Sequence, residues 1–148
     1  MIVLAVCHTA VQELAQQLKG QLTGKTVVDI SNPLTADFTC LAISGHTSAA
    51  EELAKLIPDS RVVKAFNTTF AGTLVEGQVA GQPLDVLIAG DDNAAKTTIA
   101  ELVNAAGLRG IDAGPLERAR QLEGLGFLWI QLQFTLNTNF TSTWKFLV

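Results

Sequence analysis

Few side chains in this sequence are equipped for chemistry, and two of them come early. Cys7 and His8 follow directly on an apolar run, Ile2-Val3-Leu4-Ala5-Val6. The only other thiol and imidazole are Cys40 and His46. Neither cysteine belongs to a CxxC pair or stands near a second ligand type at zinc spacing, so no metal site is expected. Two unpaired thiols suit a reduced, cytoplasmic compartment. Ser44 and His46 are too close in sequence to support a triad of nucleophile, base and acid. The Asp91-Asp92 pair has no further carboxylate or histidine in a ligand pattern. None of these groups forms a recognisable catalytic pair or ligand set.

The polar residues that remain gather at the ends of apolar runs. Ser31-Asn32-Pro33 follows Thr26–Ile30, Asn67-Thr68 follows Arg61–Phe66, and Gly90-Asp91-Asp92 follows Leu84–Ala89. If each run is a parallel strand, these clusters and His8 share the carboxyl rim where open α/β sheets bind ligands. The same residue types also cap helices and make turns, so both readings stand for each cluster. Glycine motifs do not decide the matter. Gly20–Thr26 is one residue short of a P-loop and precedes a strand instead of following one. No G-x-G-x-x-G follows any strand, and Gly124-Leu125-Gly126 lies inside a predicted helix, so no anchor for a pyrophosphate is visible.

These residues must be positioned by alternating strands and helices. Strands are expected at 2–6, 26–30, 61–66, 84–89 and 108–112. Helices are expected at 10–19, capped by Thr9, at 49–57, capped by Thr47 or Ser48, at 67–76, at 93–106 and at 115–135. Residues 34–46 and 77–83 read as irregular or loop. The run 2–6 is apolar at every position and predicts a strand covered on both faces. The pattern gives one α/β domain over 1–148: about five mostly parallel strands, helices on both faces and a long C-terminal helix.

Hydrophobic residues make up 48% of the 148, and the net charge is −4 with no basic stripe, which argues against a nucleic-acid partner. Two-sided burial of a parallel sheet accounts for the apolar composition without a membrane. The uncharged stretch Gly124–Trp144 has a polar second half and reads as a buried helix followed by a tail. Beyond Glu123 the 115–135 helix is apolar nearly all round, which suits the core, another subunit or an aromatic wall for a planar cofactor.

Taken in order, VVDISNPL (27–34), RVVKAFNTTFAGTL (61–74), DVLIAGDDNAAK (85–96), GIDAGPLERARQLEGLGFLWIQLQ (110–133) and the closing WKFLV resemble the NADP oxidoreductase family that includes coenzyme F420-dependent NADP reductase. IVLAV resembles that family's fourth strand. The resemblance implies a truncated, Rossmann-like fold that lacks the N-terminal Gly-rich βαβ portion holding the phosphates of NADP. It implies that Val6, Cys7, His8, Asn32, Pro33, Asn67 and Thr68 line the nicotinamide or flavin-like side of the cleft. The cofactor would be NADP, and the acceptor a flavin or deazaflavin. Without the phosphate grip, the chain alone is expected to be incomplete or weakly active. A non-catalytic dimeric binding module is the alternative. Either reading predicts a homodimer or a complementing chain, joined through the 2–6 edge and the 115–135 helix.

Overall fold

The computed structural model describes residues 1–147; Val148, the last residue of the WKFLV stretch, lies outside the described residues. Along the chain run β1 (Ile2–Leu4), α1 (His8–Leu22), β2 (Thr26–Asp29), α2 (Ala49–Leu56), β3 (Arg61–Ala65), α3 (Ala71–Glu76), β4 (Gln78–Val79), β5 (Gln82–Pro83), β6 (Asp85–Gly90), α4 (Asn93–Ala105) and β7 (Arg109–Gly114). A 3₁₀ turn over Leu116–Arg118 then leads into α5 (Ala119–Leu136). The main sheet has the order β1-β2-β3-β6-β7, and β4 and β5 form a separate hairpin. The result is the expected α/β, Rossmann-like domain with helices on both faces. Leu4, Val27 and Val62 pack with Val11, Ala15 and Leu22 of α1, Leu53 of α2, and Leu116 and Ala119 on one face. Val28, Val63, Val86 and Ile88 pack under Ile99 and Val103 of α4 on the other. Alternation along each strand sends neighbouring valines to opposite layers.

One strand direction departs from expectation and matters for the site. The pairs β1–β2, β2–β3 and β6–β7 are parallel, whereas β3 and β6 are antiparallel. Between them the chain passes through α3 and the β4–β5 hairpin and never crosses the sheet, so β6 starts at the edge where β3 ends. Gly90-Asp91-Asp92 consequently lies at the opposite edge from His8, Asn32 and Asn67. Gly90 pairs with Val63, Asp92 caps α4 through Ala95 N at 2.7 Å, and Asp91 accepts from Leu116 N at 2.9 Å. At that cluster capping and turn chemistry is the whole role seen.

Several boundaries also shift. The 2–6 run is strand only to Leu4. It is not covered on both faces, since Val3 is 45% exposed. β1 is an edge strand, and α4 does not extend over it. Helix α1 starts at His8, with Cys7 and not Thr9 at the N-cap position, and it continues through Gly20 to Leu22. The left-handed φ of 69° at Gly24, which favours glycine, then turns the chain. Ser48 caps α2, as expected, accepting from Glu51 N. The segment 77–83 is a hairpin because Ala80 and Gly81 both take positive φ, the geometry of a tight two-residue turn. Phe66 also takes positive φ, ends β3 at Ala65 and delays the next helix to Ala71.

Helix α5 packs against α2 and the 3₁₀ turn that precedes it. Its proximal residues Ala119, Leu122, Glu123 and Gly126 are buried. Leu128, Phe134 and Leu136 are more than half exposed. Among the described residues no helix is long and apolar enough to cross a membrane.

Candidate functional site

The carboxyl ends of β1 and β2 open into a cavity of about 690 Å³. Its walls are the β1–α1 turn (residues 5–10), the exit of β2 (30–32) and the loop 34–38. Most of the lining is apolar, contributed by Ala5, Val6, Ile30, Leu34, Ala36 and Phe38. A few polar groups from His8, Thr9, Ser31, Asn32 and Thr35 interrupt it. That size and composition suit a planar organic ligand with one polar substituent.

Of the residues singled out from the sequence, Val6, Cys7, His8 and Asn32 line this cavity together. Pro33 is buried between two lining residues and is not itself part of the wall. Asn67 and Thr68 stand behind the wall, 5% and 2% exposed. None of these three lines the cavity directly. Phe66, just before Asn67, takes a positive φ.

Asn67 acts on the cavity through Asn32. Asn32 Nδ2 donates to Asn67 O at 2.8 Å, and Asn67 Nδ2 donates to Asn32 Oδ1 at 2.9 Å and to Leu122 O at 2.8 Å. Two of these acceptors are main-chain carbonyls, which can only accept, so both carboxamide orientations follow from the network. Asn32 keeps one Nδ2 hydrogen and one Oδ1 lone pair beyond these bonds. His8 Nδ1, Asn67 Oδ1 and Thr68 Oγ1 are buried without a hydrogen-bond partner. Unused hydrogen-bonding capacity of this kind is uncommon in a folded interior and marks a place where a ligand or water can bind.

Beneath the rim lies an ionic cluster that the sequence reading did not single out. Lys64, fully buried on β3, donates to Asp29 Oδ2 at 2.8 Å and to Ser31 O at 2.6 Å, and pairs with Glu123 Oε1 at 2.9 Å. The ammonium thus makes two hydrogen bonds and one further ion-pair contact. Asp29 Oδ1 accepts from Ser31 N and Oγ. Glu123, reaching in from α5, also accepts from Ala49 N and Ala50 N at the start of α2, where the helix dipole favours a negative charge. The cluster thus ties β2, β3, α2 and α5 into one base. Its signal in the sequence was a charged residue after a Val-Val pair in each of two strands, Asp29 in Thr-Val-Val-Asp and Lys64 in Arg-Val-Val-Lys-Ala; register places Asp29 directly opposite Lys64.

His8 feels this base. Burial lowers its pKa below the usual 6.5, and the Lys64 ammonium acts in the same direction. The Asp29 and Glu123 carboxylates pull the other way without overcoming burial. The imidazole is neutral at pH 7, one nitrogen a donor and the other an acceptor. Cys7 and Cys40 are free and exposed.

No family model matches the chain. Individual relatives do. The chain is 41% identical to the metalloreductase STEAP3 of Rattus norvegicus over 108 residues, which are 73% of this chain and 21% of that protein. It is 32% identical to the F420-dependent NADP reductase of Methanocaldococcus jannaschii over 139 residues, 89% of this chain and 61% of that enzyme. A crystal structure from Arthrobacter sp. FB24, provisionally named as an F420-dependent NADP-reductase, superposes with a TM-score of 0.91 at 31% identity, over 100% of this chain and 69% of that one. The chain therefore spans only part of the length of the curated relatives it matches. On sequence and on architecture together, it belongs to the F420-dependent NADP reductase family.

Proposed function

We propose that this chain forms the nicotinamide side of an NADP-dependent oxidoreductase that passes hydride between NADPH and a flavin-like acceptor, a deazaflavin or flavin. The observation that carries the reading is the cavity at the carboxyl ends of β1 and β2, lined by Val6, Cys7, His8 and Asn32, in a member of this family. When bound, the dinucleotide supplies a hydride donor or acceptor at its ring. The chain's own part is to bind and orient. Val6 and its apolar neighbours would hold a flat ring and keep water away from it. The spare donor and acceptor of Asn32 match a carboxamide. Neutral His8 would add a hydrogen bond without placing a positive charge beside the ring. No acid or base is assigned, because hydride passes directly between two bound rings and positioning is the protein's main contribution. The two free thiols favour a cytoplasmic setting.

Within residues 1–148 no G-x-G-x-x-G follows a strand, and the reading assigns the phosphates to a further segment or chain that pairs along the β1 edge. The test is an NADPH oxidation assay with FMN or a deazaflavin. It compares the chain alone with the chain mixed with the N-terminal β-α portion of the Arthrobacter relative. Turnover that appears or rises in the mixture supports the reading. No turnover and no NADPH binding in either sample would refute it.

A second reading, a dimeric binding module without catalysis, is favoured by the exposed Leu128, Phe134 and Leu136 on α5. It predicts a dimer in sedimentation and no NADPH oxidation with any partner segment.

A further inference from the structure

Gly126 lies in the interior of α5, where alanine would be the better helix former. The reason for a glycine there is spatial. A Cβ at this position would stand 2.5 Å from Asn32 Oδ1, closer than real Cβ contacts allow, and a tight 3.0 Å from Asn32 Cγ and Nδ2. By contrast, Gly20 in α1 has nothing within 4 Å of such an atom. The Asn32 carboxamide cannot simply move aside. Asn67 holds it by two hydrogen bonds, and Asn67 is itself tied to Leu122 O, one turn before Gly126 on the same helix. α5 also reaches the opposite wall of the cavity, where Gln131 Nε2 donates to Phe38 O at 2.6 Å.

We propose that Gly126 is a positioning residue for the cavity: by laying bare backbone against Asn32, it fixes which carboxamide atoms of Asn32 face the ligand. The inference rests on the reading of the cavity as the nicotinamide side, but its geometric part stands on the contact alone. A side chain at 126 would rotate or displace Asn32 while leaving the ionic cluster around Lys64 intact. It would therefore act on ligand recognition more than on the fold.

Two readouts on the full chain separate these claims. One is the pair of Asn32 side-chain amide signals in a ¹⁵N-labelled sample, assigned by their loss in Asn32→Ala. The other is NADPH affinity by fluorescence titration. Gly126→Ala is expected to move the Asn32 signals and to weaken NADPH by about tenfold. In an Asn32→Ala background the same change should alter affinity by less than about twofold, because the two residues act as one unit. Gly20→Ala should change neither readout. Should Gly126→Ala fail to fold, the double variant, which lacks the obstructing carboxamide, is expected to fold. Unmoved Asn32 signals, an equal loss of affinity in both backgrounds, or a double variant that also fails to fold would overturn the proposal. If the wild-type chain binds no NADPH either alone or with the complementing N-terminal portion, the cofactor reading falls and the amide signals alone decide the positioning role.

Discussion

At the scale of single residues, the chemistry of this protein is one of placement. Lys64 is the least replaceable charge, since removing it leaves Asp29 and Glu123 buried with no cation between them. Lys64→Met should cost about 3–5 kcal/mol in urea unfolding, the usual cost of stranding a buried charge. His8 makes a separate prediction. Its folded-state pKa lies below 6.5, so the unfolded chain binds the proton more tightly. Its contribution is fully present above about pH 6.5, falls as pH drops through that value, and levels off below the folded pKa. NMR titration of the imidazole should report a midpoint under 6.5, and His8→Phe should flatten the stability curve in that window. At lower pH the Glu51 and Asp85 carboxylates take over. Arg120 hydrogen-bonding holds Glu51 down. Burial pushes Asp85 up, but Arg109, Lys145 and Phe146 N outweigh it. Both contributions are lost as pH falls through the lowered values. Much of this was legible from residue types. His8 and Asn32 stood out because each ends an apolar run, whereas Gly126 did not, because the contact that demands glycine lies 94 positions away in sequence.

At the scale of elements, most of the chain declared itself through periodicity. The α1 face of Val11, Leu14, Ala15 and Leu18 packs as its spacing predicts, and Ser48 caps α2. Ser48→Ala should cost about 1 kcal/mol in thermal or urea unfolding. Strand direction was not legible. Nothing in Leu84–Ala89 says which way the strand runs; the route through α3 and the β4–β5 hairpin decides it, and a two-residue turn such as Ala80-Gly81 is a weak signal in sequence. The C-terminal tail was equally silent. Buried Asp85 holds it by pairing with Lys145 Nζ and Arg109 Nη2, each at 2.5 Å, and by accepting from Phe146 N at 2.9 Å. Asp85→Asn weakens both ion pairs. The Phe146 amide should then exchange with solvent faster, while amides of β2 and β3 keep their protection.

At the scale of the whole molecule, β1 is an edge strand of the five-stranded sheet beside the cavity, and α5 exposes Leu128, Phe134 and Leu136. Exposed edges and apolar patches of this kind favour association. Sedimentation at rising concentration should show self-association that Leu128→Glu or Phe134→Glu reduces. The central claim concerns the cavity itself, and its most direct test is a titration of ¹⁵N-labelled chain with NADP⁺ followed residue by residue, which registers even weak binding. The expected result is a set of saturable shifts at Val6, Cys7, His8 and the Asn32 backbone and side chain, with little change at Lys96 and Asp112 on the far side of the sheet. Shifts confined to that far side, or none at millimolar NADP⁺ even with the complementing N-terminal portion added, would contradict the account.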